Sequence, residues 1–371
     1  MVAGKGSPLI GILGGGQLGQ MLALAGIPLG LRFRVFDPSP DCCARLCSEH
    51  VCAPYEDIES LKGFADGLNL LTYEFENVPT SALDALSSVV DIHPNRRALE
   101  TSQDRLLEKR FFSGLGIEVA PYFQVDALSD LEKGLSEFEG RGILKTRRFG
   151  YDGKGQVRLN REVDTASAWV EFGEKPAVLE AFVPFEREVS MIGARSKSGE
   201  IATYPLIENV HRGGILRRST VPANASDELE LQARHILTMA MEALEYRGLL
   251  TIEFFVVGEK LVVNEMAPRV HNSGHLTMEA FATSQFEQHL RAVCNYPLGS
   301  TRLVRPAVML NAIGSIPEIQ GIASFPEVAY HHYGKENRQG RKVGHVTVLG
   351  DTGEEVERHV QEILKKFPEL G

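Results

Sequence analysis

The sequence lacks the long apolar run that a membrane-spanning helix needs. A bilayer requires about 20 consecutive apolar residues, and no stretch of this chain approaches that length. The first ten residues also lack the apolar core of a secretory signal peptide. We therefore expect a protein that does not span a membrane, is not secreted and works in the cytoplasm.

Positive charge is also in short supply. The 371 residues include 39 lysines and arginines against 49 aspartates and glutamates, which gives a net charge of −10. This balance argues against a general binder of nucleic acids or anionic membranes, although local basic clusters could still hold phosphates. The length predicts two or three domains, and the composition is typical of a globular protein.

Cysteine is scarce and poorly spaced for a metal site. Four of the five cysteines lie in one stretch, at Cys42, Cys43, Cys47 and Cys52, and Cys294 is far away. Zinc sites favour paired Cys-x2-Cys spacings, often with histidines, and this stretch does not match them. We expect reduced thiols, which fits a cytoplasmic protein.

A glycine-rich turn opens the first predicted unit. Leu9–Leu13 predicts a strand, residues 14–19 (GGGQLG) a turn and Gln20–Leu29 a helix, and a second apolar run, Leu31–Phe36, ends at Asp37. This βαβ pattern is typical of dinucleotide-binding folds, in which glycines let the backbone approach a pyrophosphate. One such turn is a weak signal, because the same turn occurs in folds that have lost the nucleotide.

Polar residues follow the next apolar run of this unit. Leu68–Phe75 predicts a strand, and we interpret residues 1–100 as a small doubly wound α/β domain. Ligands of such sheets bind beyond the carboxyl ends of the strands. Asp37, Glu74 and Asn77 are therefore expected to face that crevice.

The pattern changes after residue 100. A charged helix is expected over 104–115, and residues 101–300 then mix short strands, glycine turns and helices, which indicates an α+β domain. A small β-rich domain is expected over 301–371. The further strands predicted are Val89–His93, Gly142–Thr146, Ala177–Phe182, Arg187–Ala194, Leu249–Val257, Lys260–Met266, Ala307–Ala312 and His345–Leu349. The further helices predicted are Leu128–Phe138, Asp227–Tyr246 and Thr352–Lys366.

A second glycine-rich segment suggests a phosphate-binding loop. Residues 150–156 (GYDGKGQ) contain three glycines and begin five residues after Lys145. Backbone N–H groups of such a loop could surround a polyphosphate, while a lysine supplies a point charge. It is not a Walker A loop, because no Gly-Lys-Ser/Thr opens a helix. A hairpin turn with solvated charges is the alternative.

Two glutamates interrupt otherwise apolar strands. An unpaired carboxylate is costly in such surroundings, yet Glu253 and Glu265 both occupy them. If residues 258–260 form the connecting loop, Val257 lies opposite Leu261 and the two glutamates are directly opposed. Opposed like charges are unfavourable unless a cation bridges them, and hard oxygen ligands suit Mg2+ carrying nucleotide phosphates. The alternative is two acids on a wet sheet face.

Three further segments are informative because of their positions in the sequence relative to the glycine-rich segment and the two glutamates. Residues 180–183, followed by Glu188, could offer backbone groups to an adenine edge and a carboxylate to ribose hydroxyls. Arg269 and His271 follow the second glutamate and could hold an anion and move a proton, respectively. Residues 333–345 place four cations beside glycines, as an anion-binding loop would. Each segment alone has an ordinary structural alternative.

In this order the motifs resemble the ATP-grasp superfamily, and most closely its N5-carboxyaminoimidazole ribonucleotide synthetases. The resemblance covers about residues 10–350. It rests on residues 14–21 (GGGQLGQM), 73–79 (YEFENVP), 149–156 (FGYDGKGQ), 264–275 (NEMAPRVHNSGH) and 340–345 (GRKVGH). The joint match is specific, although no single segment would be.

The resemblance implies an ATP-grasp fold with an N-terminal Rossmann-like domain and a small C-terminal β-rich domain. It also implies an enzyme in which ATP and bicarbonate form carboxyphosphate. The carboxyl group would then pass to the exocyclic amine of 5-aminoimidazole ribonucleotide, in purine biosynthesis. Mg2+ as cofactor and a cytoplasmic homodimer belong to the same expectation.

Site residues follow from the same resemblance. Those at ATP positions are Arg105, Lys145, Gly150, Tyr151, Asp152, Gly153, Lys154, Gly155, Gln156, Glu180, Ala181, Phe182, Val183, Glu188, His211, Asn264 and Glu265. Those at ribonucleotide positions are Gly15, Gly16, Gln17, Leu18, Glu74, Tyr151, Asp152, Lys154, Arg269, His271, Asn272, Lys335, Arg341 and Lys342. Catalytic roles are implied for Asp152, Arg269 and His271, and metal binding for Glu253 and Glu265.

Some positions depart from the family pattern. Gln20 and Lys154 stand where arginine is common, and Ala267 stands where some ATP-grasp carboxylases have an asparagine that binds metal. A third metal ligand from a side chain is therefore in doubt. In this family the glycine turn would serve the ribonucleotide phosphate rather than a dinucleotide.

Three alternatives remain open from the sequence. One is another ATP-grasp ligase or a transformylase. Another is a dinucleotide-dependent oxidoreductase, which leaves Glu253, Glu265 and residues 150–156 unexplained. The third is a nucleotide-binding module without activity, against which the presence of both glutamates argues.

Overall fold

The computed structural model describes residues 6–150 and 154–371. Its N-terminal unit is a parallel sheet flanked by helices, as the βαβ pattern predicts. The elements are β1 (Leu9–Leu13), α1 (Gln17–Gly26), β2 (Arg32–Phe36), β3 (Glu49–Val51), α2 (Ile58–Ala65), β4 (Leu70–Tyr73), α3 (Thr80–Leu86) and α4 (Arg96–Gln103). The strand order is β3–β2–β1–β4, all parallel.

Two local predictions in this unit need correction. Helix α1 begins at Gln17, directly after the glycines, rather than at Gln20. The run Val89–His93 forms only a single parallel bridge, from Ile92 to Leu71 of β4, instead of a strand. Pro94 follows at once and has no N–H to continue a ladder.

The middle of the chain forms a small antiparallel sheet. Its elements are α5 (Arg105–Gly114), β5 (Tyr122–Val125), α6 (Leu128–Glu137), β6 (Gly142–Thr146), β7 (Gln156–Leu159), α7 (Thr165–Phe172) and β8 (Ala177–Glu180), and the order is β5–β8–β6–β7. Trp169 and Leu144 lie in the apolar core that α6 and α7 share with this sheet. Strand β6 has the predicted bounds, and β8 ends two residues earlier than predicted.

The remainder builds one large sheet. Its strands are β9 (Arg187–Arg195), β10 (Ile201–Thr203), β11 (Ile207–Arg212), β12 (Ile215–Val221), β13 (Gly248–Val257), β14 (Lys260–Ala267), β15 (Ala307–Ile313), β16 (Val328–His332) and β17 (Lys342–Leu349). The order is β14–β13–β9–β11–β12–β15–β17–β16, with β10 beside β9. The strands after residue 300 therefore extend the sheet of the preceding unit, while the predicted domain boundaries stay predictions.

Helices cover the large sheet and end for local reasons. They are α8 (Asp227–Ala243), α9 (Thr277–Ala280), α10 (Gln285–Val293), α11 (Ile319–Ile322) and α12 (Gly353–Lys366). Helix α8 stops before the predicted Tyr246, because Glu245 adopts a left-handed conformation with φ of 48°. Within the described residues, no helix combines the length and apolar character needed to cross a bilayer.

The β13–β14 hairpin pairs the two glutamates as predicted, but its turn is shorter than predicted and one strand contains a bulge. Its turn contains two residues, Gly258 and Glu259, so that Val257 pairs with Lys260 rather than with Leu261. The register then shifts between Glu253 and Phe254, where a β-bulge at residue 264 adds one residue to β14. The predicted loop was one residue too long, and the bulge restores the opposition of the two glutamates.

Candidate active site

One polar cleft gathers residues from the N-terminal unit and from both sheets that follow. Among the predicted site residues, those that line it are Gln17, Leu18, Arg105, Gly150, His211, Glu253, Glu265, Arg269, His271, Asn272 and Lys342. Positions as far apart in sequence as Gln17 and Lys342 thus share one cavity. The prediction that these motifs act together is consistent with this placement.

The floor of the cleft carries the two glutamates. Glu253 and Glu265 are directly opposed on β13 and β14. Arg105 Nη1 lies 3.2 Å from Glu265 Oε2, and His271 Nε2 lies 3.1 Å from Glu253 Oε1. Burial opposes ionisation of Glu253, but the contact with His271 and nearby positive charges lower its pKa below the usual range of a glutamate.

This arrangement fits a Mg2+ ion bound together with nucleotide phosphates. In the described part of the chain, no three histidine, cysteine or acidic side chains converge in a way that could hold a metal by themselves. Mg2+ in nucleotide enzymes commonly takes one or two carboxylates and draws its other ligands from phosphates and water. Two opposed glutamates are sufficient for that mode, so the alanine at 267 does not argue against it.

A buried cluster of charges lies where the small sheet leads into the large one. Glu180, at the end of β8, receives Lys145 Nζ at 2.9 Å on one carboxylate oxygen and Lys109 Nζ at 3.3 Å on the other. Burial opposes its ionisation, but the two lysines lower the pKa of Glu180 to about 2. Burial likewise lowers the pKa of Lys145. Residues 181–183 then leave the sheet, and the Phe182 side chain is exposed.

A second carboxylate–histidine pair flanks the cleft. Glu188 on β9 and His211 on β11 come from neighbouring strands, and His211 Nδ1 lies 2.8 Å from Glu188 Oε2. Burial acts against the imidazolium, but the hydrogen bond with Glu188 and the nearby carboxylates raise the pKa of His211. Both were predicted as ATP-site residues, and the fold brings them into contact.

The glycine turn is occupied by the protein's own carboxylates. Gly15 N–H donates to Asp37 Oδ2 at 2.8 Å, and Glu74 accepts from Gly16 N–H and, at 2.8 Å, from Gly19 N–H. A Cβ at Gly16 would lie 2.5 Å from the Glu74 carboxylate, so only glycine permits this approach.

This geometry corrects one expectation about the turn. Asp37 and Glu74 bind the turn's own amides instead of facing an open crevice, whereas Asn77 does line the cleft. A phosphate at this turn would compete with buried carboxylates for the same N–H groups. The turn is therefore unsuited to a dinucleotide pyrophosphate.

The upper wall of the cleft carries the predicted carboxyl-transfer residues. Arg269 is partly buried and forms an ion pair with Glu76, and this arginine helps to lower the pKa of Glu76 to about 2 against the effect of burial. The side-chain amide of Asn272 is buried, and neither its oxygen nor its nitrogen has a hydrogen-bond partner among the described residues. Such an amide is expected to find its partner on a ligand.

The three cationic residues predicted near the C-terminus, Lys335, Arg341 and Lys342, line two neighbouring cavities. Lys342 lines the cleft itself, while Lys335 and Arg341 line an adjacent cavity beside Cys42 and Cys43. Lys335 Nζ donates to Gln17 Oε1, which ties this segment to the start of α1.

The structure describes only part of the predicted phosphate loop. Tyr151, Asp152 and Gly153 lie outside the described residues, so their predicted roles stay predictions. Lys154, Gly155 and Gln156 are exposed, and the preceding Phe149 is an exposed aromatic residue with a φ of 61°. Of the other predicted ATP-site residues, Asn264 forms the bulge of β14, and Ala181 and Val183 are half-buried in the link after β8.

Sequence reasoning missed three charged residues of the site. Glu76 pairs with Arg269, Lys109 with Glu180, and the buried Glu108 accepts a 2.6 Å hydrogen bond from Met266 N–H. Lys109 follows Arg105 by four residues on α5, so helical spacing alone placed it on the same face. Glu76 belongs to the quoted motif but had no assigned role.

The cysteines show no bonding between them. All five are free, with Cys42 and Cys43 buried and Cys52 exposed. Burial raises the pKa of Cys42 and of Cys47 to about 11, which makes both thiols poor nucleophiles at neutral pH.

Three family models match successive parts of the chain. The ribonucleotide synthetase preATP-grasp domain matches residues 8–103, the ATP-grasp domain residues 110–286, and the phosphoribosylaminoimidazole carboxylase C-terminal domain residues 307–359. Together they cover most of the sequence in the order that the motifs predict.

Individual relatives are similar over nearly their whole length. An N5-carboxyaminoimidazole ribonucleotide synthase of Pseudomonas aeruginosa is 45% identical over 91% of this chain and 94% of its own. The crystal structure of the Thermus thermophilus synthetase superposes with a TM-score of 0.93, at 49% identity, over 96% of this chain and 98% of that one. A synthase structure from Aspergillus clavatus, in complex with ADP and 5-aminoimidazole ribonucleotide, gives a TM-score of 0.89 at 30% identity, over 97% and 98% of the two chains.

Proposed function

The chain belongs to the N5-carboxyaminoimidazole ribonucleotide synthase family of ATP-grasp ligases, and on that basis we propose how its residues divide the reaction. The activity is the ATP-dependent carboxylation of 5-aminoimidazole ribonucleotide in purine biosynthesis. The oxidoreductase alternative is thereby set aside. The observation that carries the assignment of roles is the opposed pair Glu253 and Glu265, beside Arg105 and Arg269 in one cleft.

ATP occupies the side of the cleft formed by the two sheets. Residues 181–183 border the adenine, and Glu188 with His211 binds the ribose hydroxyls. Lys145, Arg105 and the loop 150–156 neutralise the phosphates. Buried cations next to carboxylates are already held in place, which supports this role because no reorganisation is needed when the phosphates arrive.

Mg2+ is the expected cofactor, held by Glu253 and Glu265. When bound it neutralises charge on the phosphate oxygens. Arg105 lies 3.2 Å from one oxygen of Glu265 and His271 lies 3.1 Å from one oxygen of Glu253, so each glutamate is held on one side, which supports a site built for a cation.

Carboxyl transfer proceeds in two steps. An oxygen of bicarbonate attacks the γ-phosphorus of ATP, ADP leaves, and carboxyphosphate forms. The amine nitrogen of the ribonucleotide then attacks the carboxyl carbon, the bond to phosphate breaks, and the amine loses a proton. Arg269 holds the carboxyl group, since a guanidinium binds a carboxylate in two places, and Asp152 orients the amine. Exclusion of water from the cleft protects the carboxyphosphate from hydrolysis.

The ribonucleotide lies between the start of α1 and the C-terminal cations. Gln17, Leu18 and Asn272 line its side of the cleft, and Lys335, Arg341 and Lys342 hold its phosphate. The amides of Gly15 and Gly16 already donate to carboxylates, so Glu74 shapes the turn without touching the ligand. The unpartnered Asn272 amide supports a polar ligand at this wall.

We also propose a cytoplasmic homodimer. Five unpaired thiols support a reducing compartment. Sedimentation equilibrium should give twice the mass of one chain.

The assignment of roles is tested with a variant of the metal pair. Glu265→Gln keeps the shape of the side chain but removes a charge, so ADP formation with bicarbonate and the ribonucleotide should fall by about 10²–10³. Glu259→Gln, in the turn of the same hairpin, is the matched control and should leave activity unchanged. Near-normal ADP formation by Glu265→Gln with an unchanged circular dichroism spectrum would remove Glu265 from the metal site.

A further inference from the structure

A continuous line of buried hydrogen bonds leads from the core of the large sheet to His271. Ser219 on β12 bonds Asn209 on β11 at 2.8 Å, and Asn209 bonds Ser190 on β9 at 2.9 Å. Ser190 bonds Ser273 at 2.8 Å, and Ser273 Oγ lies 2.9 Å from His271 Nδ1. The four polar residues are inaccessible or nearly so, with Asn209 the most exposed at 4%.

Three adjacent strands each contribute one polar side chain, where an apolar residue would pack without a desolvation cost. Every member has its partners inside the line. A fully satisfied buried network of this kind makes its own geometry specific.

The direction of the hydrogen bonds is determined at both ends. At the far end, the Ser219 hydroxyl donates to Asn209 Oδ1, so the Asn209 amide nitrogen donates to Ser190 Oγ. The Ser190 proton is then available for Ser273, whose own proton points to His271.

The contacts at the His271 end of the line require the same direction of the hydrogen bonds. Ser273 N–H also points at His271 Nδ1, at 3.3 Å, which makes that nitrogen an acceptor. With Nδ1 accepting, the ring hydrogen of His271 lies on Nε2, which is 3.1 Å from Glu253 Oε1.

We propose that Ser219, Asn209, Ser190 and Ser273 hold His271 in the tautomer with its proton on Nε2, so that His271 is a positioning residue for Glu253. One oxygen of Glu253 is then fixed by His271, and the other is left to face the cation, as the proposed function requires. Both ring nitrogens are engaged within the protein. In this proposal His271 orients Glu253, while the prediction that it moves a proton stays a prediction.

The proposal is tested by ¹⁵N NMR of the full-length protein labelled at histidine. Ring nitrogen shifts distinguish a protonated from an unprotonated nitrogen, and a His271→Asn variant identifies the signals. The Nδ1 signal of His271 should be that of a nitrogen without hydrogen, and the Nε2 signal that of a nitrogen that carries one. Ser190→Ala removes the partner that orients the Ser273 hydroxyl, so the Nδ1 signal of His271 should shift toward that of a nitrogen with a weaker donor. Ser196→Ala, a buried serine outside the line, should leave the spectrum unchanged.

A second test of the proposal measures activity in variants of Ser273. Ser273→Ala should raise the Mg2+ concentration for half-maximal ADP formation by about 10-fold, the usual effect of removing an outer partner of a metal site, and Ser273→Thr should restore it. Hydrogen on Nδ1 in the wild-type protein, a doubly protonated ring, or unchanged His271 signals in Ser190→Ala would each overturn the proposal. A protein with the expected tautomer but no bicarbonate-dependent ADP formation would instead contradict the proposed function.

Discussion

At the scale of single residues, the cleft is a set of charges that compensate one another before any ligand binds. Glu265 faces Arg105, Glu180 faces Lys145 and Lys109, and Glu76 faces Arg269. The Glu180 pairs are buried, so breaking them leaves an uncompensated charge, and substitutions there affect stability as well as binding. Each test therefore needs a readout that separates the two.

Lys145 should matter for ATP far more than for the ribonucleotide. Its ammonium group lies on Glu180, on the side proposed for ATP. Lys145→Met should weaken ATP binding by about 10-fold or more, since a contact with a charged group contributes roughly 1.5–3 kcal/mol. Calorimetry with each ligand measures this, with Lys175→Met on the surface as control. Equal losses for both ligands would contradict the assignment.

Glu108 should make the protein less stable as the pH rises. Burial and the charge of Glu265 raise its pKa to about 8, so the folded protein keeps a proton that the unfolded chain releases near pH 4.5. Stability therefore falls between these pH values, by up to about 1.4 kcal/mol per pH unit, and is level above pH 8.

The comparison uses Glu108→Gln, which mimics the protonated acid and still accepts from Met266 N–H. Urea unfolding should show wild type losing stability relative to the variant from pH 5 to 8. A difference that stays constant with pH would show that Glu108 is ionised in the folded protein.

At the scale of elements, the start of α5 connects the phosphate loop to the metal pair. Asp104 caps α5 by accepting from Leu106 N–H at 2.9 Å, and it also binds Arg147, two residues before Phe149, at 2.6 Å. The next residue, Arg105, donates its N–H to the Arg147 carbonyl at 2.9 Å. One carboxylate thus positions the helix end, the base of the loop and the cation on Glu265.

Asp104→Ala should cost stability and ATP affinity together. Loss of the cap and the ion pair should lower the free energy of unfolding by about 1–2 kcal/mol and raise the KM for ATP several-fold. Asp104→Asn retains an acceptor for the helix and should be intermediate in both. If Ala and Asn variants match wild type in KM, the helix end does not position the site.

At the scale of the whole molecule, buried neutral histidines lie where the parts of the chain meet. His289 of α10 bonds Thr72 of β4 at 2.9 Å, across 217 residues of sequence. The ring of His345 on β17 lies tilted against that of His275, with ring centres 4.9 Å apart. Burial lowers the pKa of His289 to about 3, and the pKa values of His275 and His345 well below their usual range.

These histidines should make the fold sensitive to acid. The unfolded chain takes up protons near pH 6.5 and the folded protein does not, so stability is present above pH 6.5 and is lost as the pH falls. Each histidine contributes up to about 1.4 kcal/mol per pH unit. Between pH 6 and 4.5, His289→Asn should reduce the slope of the unfolding free energy against pH. The reduction should correspond to nearly one proton fewer taken up on unfolding. An unchanged slope would mean that His289 is already charged in the folded state.

Local patterns in the sequence predicted the parts that depend on near neighbours. The period of apolar residues gave β1, β6 and most of β9 and β13, because alternation and helical spacing are properties of a short segment. Exceptions to that pattern indicated the predicted metal pair, because a carboxylate in an apolar strand is costly unless it has a partner. The motifs in order then indicated the superfamily.

The sequence by itself therefore determined the kind of fold, the reaction and most of the candidate site residues. The tertiary structure decided which partner each charged group meets: Glu74 in the glycine turn, Lys335 on Gln17 across 318 residues, and a bulge that sets Glu253 against Glu265. It also decided that the last strands extend the large sheet and that a line of hydrogen bonds across three of its strands ends at His271. The physical reason is that such contacts depend on register and on the packing of distant segments, which no local period encodes.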